Sequence, residues 1–141
     1  MPAPPDPAPP PAPPAAGRRA LVVDDEPSIR RALRRYFERQ GWRVDEAEDG
    51  AGGLAVLLAD GAPAYDVILS DLIMPGMTGE AFYDAVAAAR PGLAGRVIVT
   101  TGDAFRPEAA HFLRRTGCAV LNKPFELAEL RAVVEQVSGR V

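Results

Sequence analysis

The chain has 141 residues, which is enough for one domain built around a single hydrophobic core. Its formal net charge of −3 argues against a nucleic-acid-binding chain, and no apolar run is long enough to cross a membrane. A single cysteine excludes an internal disulfide and fits the reducing cytoplasm, which is the expected location, while the lack of clustered Cys and His excludes a zinc site.

Proline dominates the first sixteen residues, MPAPPDPAPPPAPPAA, which contain nine of the fifteen prolines. Apart from Met1, this stretch has no side chain larger than alanine that could build a core, so it cannot bury enough apolar surface to fold. We predict that residues 1–17 form a Pro-rich disordered linker and that residues 18–141 form the domain. A Pro-rich ligand for another protein module is the alternative role of this segment.

From residue 18 onward, short apolar runs alternate with amphipathic segments of helical length. The apolar runs lack in-out alternation, which indicates strands that are buried on both faces. They predict five strands, over residues 20–25, 42–47, 65–71, 96–101 and 118–122. The amphipathic segments predict five helices, which are marked by Pro27, Leu54, Phe82, Pro107 and Leu127.

Strict alternation of strands and helices predicts parallel strands joined by right-handed crossovers, with helices on both faces. We therefore predict an α/β fold of the flavodoxin-like kind, a doubly wound five-stranded parallel sheet in the order 2-1-3-4-5 with five helices. Ligands of such sheets bind outside the carboxyl ends of the strands, where the strand order reverses. The residues that end the strands are thus the candidate site residues.

Three carboxylates meet this description, because Asp24 and Asp25 follow the first strand and Asp71 ends the third, its predicted neighbour. Like charges at such close range resist ionising together, and a bound divalent cation removes the conflict. Oxygen ligands without His or Cys favour Mg²⁺ or Mn²⁺. Capping of the helix that begins at Pro27 would explain one of the first two aspartates, but it would not explain Asp71.

Two further polar groups end strands on the same predicted edge. The fourth strand ends in Thr100 and Thr101, and the fifth leads into Asn122 and Lys123. Lys123 is the only lysine, since the other fifteen basic residues are arginines. Lysine is a compact charge with three rotatable donors, whereas arginine is a broad planar fork. A single lysine among so many arginines indicates that position 123 is crowded and needs a small, mobile cation.

The stretches LVVDDEP, DVILSDLIMPGMTG, VIVTTGD and LNKPF, in this order and spacing, resemble the receiver domain of two-component response regulators. The resemblance covers residues 18–141. It implies a bacterial signalling module in which an aspartate accepts a phosphoryl group from a histidine kinase or a histidine phosphotransfer protein. The family's roles fall on Asp71 as phosphoacceptor, Asp25 as direct Mg²⁺ ligand, Asp24 as a ligand acting largely through water, the backbone carbonyl of Ile73 as a further ligand, Thr101 as switch hydroxyl and Lys123 as site lysine.

The chain departs from the family at Val120, where many receivers carry Tyr or Phe three residues before the site lysine. The resemblance therefore implies that an aromatic rotamer switch is not available at this position. Ile73 and Asp103 occupy positions that tune the phosphoryl lifetime in the family. An apolar Ile73 hinders the hydrolytic water, whereas an acidic Asp103 assists it, and the sequence leaves the balance open.

The resemblance also implies a setting and partners. The region from VTTGDA to LNKPF looks most like receivers fused to the carboxyl end of hybrid histidine kinases, and a free-standing single-domain regulator is the other setting. Both settings imply a phosphoacceptor rather than an enzyme acting on a separate substrate. They imply no contact of this chain with nucleic acid or membrane, and they allow a weak homodimer. Four arginines of the first helix either dock the kinase or form a solvated face: Arg30, Arg31, Arg34 and Arg35.

Three other functions use a related architecture. An aspartate-nucleophile phosphatase normally needs a second aspartate two residues after the first, where this chain has Ile73. A flavin-binding electron carrier needs a phosphate loop after the first strand, where the acidic DDEP would repel phosphate. A phosphorylation-independent interaction domain is disfavoured because the acidic residues and Lys123 are retained.

Overall fold

The structure is a computed structural model that describes residues 17–138. The linker prediction falls, except for Gly17, on residues outside that range, as do residues 139–141. Within the range, strands and helices follow one another in this order: β1 (Arg19–Val23), α1 (Pro27–Arg39), β2 (Arg43–Ala47), α2 (Gly50–Leu58), β3 (Val67–Asp71), α3 (Gly79–Ala89), α4 (Pro91–Ala94), β4 (Val97–Thr101), α5 (Pro107–Thr116), β5 (Ala119–Asn122) and α6 (Leu127–Ser138).

All strand pairs in the sheet are parallel, and their order is β2-β1-β3-β4-β5, which confirms the predicted fold. The register aligns the strand ends: Val23 of β1 lies beside Ser70 of β3, and Asp71 lies beside Thr100 of β4. The strand order reverses between β1 and β3. Residues that end these strands consequently meet at one edge of the sheet, the edge where doubly wound folds bind ligands.

Each face of the sheet carries its own apolar core. On one face α1 and α6 pack onto the sheet through Phe37 and Leu130, both fully buried. On the other face α2, α3 and α5 pack through Leu57, Phe82 and Phe112. The strands therefore contribute alternate residues to opposite cores, which explains why their sequences are apolar without alternation.

Six helices form within residues 17–138, where the sequence analysis predicted five. The additional one, α4, is a single turn in the stretch where Pro91 and Gly92 were expected only to end the preceding helix. Proline restricts its own φ to the helical value and lacks the N–H that a first turn leaves unpaired, so Pro91 starts a new turn after ending the old one. Leu93 buries that turn against the sheet. None of the helices in the described range is long and apolar enough to cross a membrane.

Cys118 is expected to be chemically inert in the folded chain. It lies partly buried just before β5, with its thiol 3.3 Å from the carbonyl oxygen of Val97. Burial raises the pKa of the thiol to about 12 from an ordinary value of 9.0. Because only the thiolate is nucleophilic, alkylation at pH 8 should be about 1,000-fold slower than for an unperturbed thiol.

The rate of reaction with iodoacetamide, measured in buffer and in denaturing urea, tests this expectation. The native chain should react orders of magnitude more slowly than the unfolded chain. Equal rates in the two conditions would show that the thiol is not held in its buried position.

Candidate functional site

Asp71 lies at the carboxyl end of β3 in the middle of the sheet, and only 9% of the residue is exposed. Both of its carboxylate oxygens have defined partners. Oδ1 accepts a hydrogen bond of 3.1 Å from the backbone N–H of Ile73, and Oδ2 accepts one of 2.9 Å from Nζ of Lys123. The carboxylate is thus fixed in orientation and reaches solvent over a small opening.

Asp24 and Asp25 follow the end of β1, beside Asp71. Asp24 is 2% exposed and its Oδ1 accepts a 2.9 Å hydrogen bond from the backbone N–H of Glu26, whereas Asp25 is exposed. This hydrogen bond shapes the turn before α1. The N-cap residue of α1 is Glu26, and no side chain caps the helix, so capping does not account for Asp24 or Asp25. One carboxylate oxygen from each of Asp24, Asp25 and Asp71 lies within 4.8 Å of the others. Three carboxylates at this spacing are positioned for a divalent metal ion.

Lys123 reaches this cluster from the end of β5, on the far side of β4. Its Nζ is 2.9 Å from Asp71 Oδ2 and 3.4 Å from Asp24 Oδ2, so one ammonium bridges two carboxylates. Burial lowers the pKa of this ammonium, but the hydrogen bond and charge of Asp71, followed by those of Asp24, outweigh burial and leave the pKa raised. The lysine is therefore charged at neutral pH. The peptide bond between Lys123 and Pro124 is cis.

Thr101 ends β4 and is buried, 3% exposed. Its hydroxyl oxygen accepts a 3.2 Å hydrogen bond from the backbone N–H of Asp103. The carboxylate of Asp103 in turn accepts a 2.9 Å bond from the backbone N–H of Phe105. The threonine hydroxyl is thus the inner end of a hydrogen-bond chain through the loop that joins β4 to α5.

The first-helix arginines divide into two pairs. Arg30 donates to Glu46 of β2 at 3.2 Å and to the backbone carbonyl of Asp24 at 2.5 Å, and Arg34 forms ion pairs with Glu46 and Glu38. These two arginines tie α1 to β2 and hold the loop of Asp24. The exposed Arg31 and Arg35 are the members of the set that present charge to solvent.

The three positions singled out around Asp71 lie in different surroundings. Ile73 is 64% exposed at the rim of the site, and the carboxylate of Asp103 is turned toward its own loop. Val120 is partly buried against the apolar core formed with α2, α3 and α5. The structure thus places an apolar side chain at the mouth of the site and a small aliphatic side chain at position 120.

Sequence reasoning missed Gly79, the first residue of α3. A Cβ built on this glycine would lie 2.5 Å from the backbone oxygen of Asp71 and 2.5 Å from Cα of Leu72. The start of α3 therefore lies directly against the backbone of Asp71 and Leu72. One feature of the sequence could have indicated this position. Thr78 is a favourable N-cap residue and does not require a glycine after it, so a glycine as the first residue of the helix calls for a separate explanation.

Comparison with known proteins agrees with this arrangement. The family described as the response regulator receiver domain matches residues 20–135. Among curated relatives, the transcriptional activator protein PfeR of Pseudomonas aeruginosa is 33% identical over 87% of this chain and 38% of its own length. The transcriptional regulatory protein KdpE of Mycobacterium tuberculosis is 36% identical over 82% of this chain and 50% of its own length. The chain thus spans half or less of these two relatives.

Solved structures give the same result. The chemotaxis protein CheY4 of Vibrio cholerae superposes with a TM-score of 0.73 at 31% identity, covering 85% of this chain and 98% of that one. A response regulator receiver protein from Pseudomonas putida superposes with a TM-score of 0.74 at 25% identity, covering 84% of this chain and 96% of that one. These matches give no support to the phosphatase alternative. With the family's match extending from β1 into α6, the chain belongs to the receiver domain family of two-component response regulators.

Proposed function

We propose that this chain accepts a phosphoryl group on Asp71 from a phosphohistidine of a histidine kinase or a histidine phosphotransfer protein. The observation that carries the proposal is the double anchoring of the Asp71 carboxylate by Ile73 N–H at 3.1 Å and by Lys123 Nζ at 2.9 Å. A carboxylate held in this way at a solvent opening is oriented to act as a nucleophile.

The transfer proceeds by attack of an Asp71 carboxylate oxygen on the phosphorus. A new O–P bond forms as the P–N bond to the partner's histidine breaks, and the imidazole, protonated on its other nitrogen, leaves as the neutral ring. Phosphoryl transfer depends mainly on positioning and on neutralising the charge of the phosphoryl oxygens. Lys123 supplies one positive charge, and its ammonium is free to follow a phosphoryl oxygen once Asp71 has become an acyl phosphate.

The remaining charge points to a divalent cation, Mg²⁺ or Mn²⁺, as the cofactor. The donor set fits it: three carboxylate oxygens lie within 4.8 Å of one another without His or Cys among them. Asp24, Asp25 and Asp71 would hold the ion together with the backbone carbonyl of Ile73. When bound, such an ion neutralises the charge that develops on the phosphoryl oxygens.

Thr101 is the second element of the proposed switch. Its buried hydroxyl oxygen accepts from the Asp103 N–H, and its proton is available to donate to a phosphoryl oxygen on Asp71. As the Thr101 side chain turns toward the phosphoryl group, its oxygen moves away from the Asp103 N–H and the loop between β4 and α5 changes, so a local charge event biases a two-state element. The chain acts here on its own aspartate, as a signalling module rather than as an enzyme with a separate substrate.

Modification of Asp71 is expected to be complete or nearly so with acetyl phosphate and Mg²⁺, and to be lost in an Asp71→Asn variant. Removal of Mg²⁺ with a chelator should also abolish it, because Lys123 alone then offsets the charge of three carboxylates and the incoming phosphoryl group. Intact-mass spectrometry measures the phosphoryl adduct in each case.

Asp60→Asn is the matched control, since Asp60 is an exposed acid in the turn after α2 and lies outside the site. It should be modified to the same extent as the unaltered chain. A phosphoryl adduct on the Asp71→Asn variant equal to that on the unaltered chain would overturn the assignment of the acceptor.

The partner surface is the next level of the proposal. Arg31 and Arg35 lie on the exposed side of α1, whereas Arg30 and Arg34 are held by Glu46. We assign the exposed pair to docking of the phosphate-donating partner. The proposal includes two further parts: the chain acts in a hybrid kinase or as a single-domain regulator, and it forms a weak homodimer, which sedimentation at increasing protein concentration would detect.

A further inference from the structure

A cleft of about 330 Å³ opens beside Thr101, between the start of α3 and the first turns of α5. Its floor is apolar and includes Leu72, Ala109 and Phe112, of which the last two are buried. Charged residues surround the opening, among them Asp103 and Arg106. A cavity of roughly 150 Å³ is enough to hold a benzene ring, so this cleft has room for a phenyl side chain.

Phe105 directly precedes Arg106, which lines the cleft, and 92% of Phe105 is exposed, the largest value among the large apolar side chains in residues 17–138. It is four residues beyond Thr101, in the loop that borders the cleft. Its backbone N–H donates to Asp103 Oδ1 at 2.9 Å, and the Asp103 N–H donates to the Thr101 hydroxyl at 3.2 Å. The outward position of Phe105 therefore depends on hydrogen bonds that end on Thr101.

We propose that Phe105 turns into this cleft when Thr101 donates its hydroxyl to a phosphorylated Asp71, so that Phe105 is the aromatic element of the switch in this chain. The inference rests on the function proposed above. Movement of the Thr101 hydroxyl withdraws the acceptor of the Asp103 N–H, and the turn that holds Phe105 outward loses its inner anchor. Burial of the exposed phenyl ring against Phe112 and Ala109 then favours the inward position.

Ion pairs link the two helices that form the walls of the cleft, and we place the change in the loop between β4 and α5. Arg115 at the end of α5 pairs with Glu80 at 2.8 Å and with Asp84 at 3.1 Å, both on α3. The loop itself contains Gly102, where an added Cβ would meet nothing within 4 Å, so it has space to move. With Val120 in place of an aromatic residue, Phe105 is the exposed aromatic side chain of the loop that follows Thr101 in the described part of the chain.

Fluorine NMR of the whole chain labelled with 4-fluorophenylalanine tests the inference. The chain has five phenylalanines, and a Phe105→Leu variant assigns the signal of Phe105. The shift of that signal between H₂O and D₂O measures its exposure before and after addition of Mg²⁺ and beryllofluoride, a phosphoryl mimic. The difference in chemical shift between H₂O and D₂O should be large in the unmodified chain and should become much smaller after Mg²⁺ and beryllofluoride are added.

The same spectrum separates failure of the inference from failure of the proposed function, because bound beryllofluoride gives its own fluorine signals. A bound signal with Phe105 still fully exposed would overturn the inference and leave the function standing. Absence of a bound signal at saturating beryllofluoride would overturn the function and the inference with it.

A second variant makes the energetic prediction. Phe105→Ala cannot fill the cleft, so beryllofluoride should bind about 10-fold more weakly than to the unaltered chain. Leu58→Ala is the matched control, since Leu58 is another large apolar residue on the surface, half exposed, but lies at the end of α2. Unchanged affinity in the Phe105→Ala variant would contradict the coupling of Phe105 to the site.

Discussion

Replacing Lys123 with arginine is expected to preserve the fold and the acceptance of a phosphoryl group but to suppress the response of Thr101. The Nζ of Lys123 lies 2.9 Å from Asp71 and 3.4 Å from Asp24, in a space shared with three carboxylates. A guanidinium prefers two parallel hydrogen bonds to one carboxylate, whereas an ammonium can leave Asp71 and follow a phosphoryl oxygen. Hydrogen bonds to charged groups contribute about 1.5–3 kcal/mol, so the switching equilibrium constant should fall about 10-fold or more.

The amide signals of Thr101 and Gly102, followed by NMR while beryllofluoride and Mg²⁺ are added, measure this response. Arg43→Lys is the matched control, because Arg43 is exposed at the start of β2 and should tolerate the exchange of cations. Lys123→Met tests the charge itself. It leaves Asp71 and the buried Asp24 without their cation, and should lower the free energy of unfolding by about 3 kcal/mol when Mg²⁺ is absent.

An arginine variant in which the Thr101 amide moves as far as in the unaltered chain would show that the position needs only a positive charge. The scarcity of lysine in this sequence would then be unrelated to the switch. A loss of response that also appears in Arg43→Lys would point to a general effect of the exchange rather than to the site.

The strand ends could be predicted from the sequence because parallel topology leaves few choices. Once the alternation of strands and helices is read, Asp24, Asp71, Thr101 and Lys123 must meet at one edge of the sheet. The register then determines their distances, and the structure brings Lys123 to 2.9 Å from Asp71. Local patterns and one topological rule were therefore sufficient for the positions of these side chains.

Interactions that depend on side-chain packing between elements could not be predicted. Arg30 looks like any other exposed arginine on the polar face of α1, yet Glu46 of β2 and the carbonyl of Asp24 hold it. The position of Phe105 beside an open cleft likewise depends on how α3 and α5 pack. The α4 turn was missed because Pro91 ends one helix and begins another. In the sequence analysis, Pro91 served only as the end of the preceding helix.

Gly79→Ala is expected to cause the largest loss of stability among single methyl additions to this fold, about 3 kcal/mol in the free energy of unfolding. The new Cβ would lie 2.5 Å from the Asp71 carbonyl oxygen and 2.5 Å from Cα of Leu72. Both are backbone atoms of a buried strand end, so neither can move aside as a flexible side chain would. The Gly79 N–H also donates to the Leu72 carbonyl at 2.8 Å, and that bond would be stretched as α3 moves outward.

Gly92→Ala is the matched control, because a Cβ at Gly92 meets nothing within 4 Å and the residue lies in a helical turn. Its free energy of unfolding should stay equal or rise by up to about 1 kcal/mol, since alanine reduces the entropy of the unfolded chain. Urea unfolding measures both variants. Equal midpoints for the two would mean that the start of α3 does not press on the acceptor strand. A lower midpoint for Gly79→Ala, accompanied by weaker phosphorylation of Asp71, would instead show that this one close approach supports both the fold and the position of the acceptor.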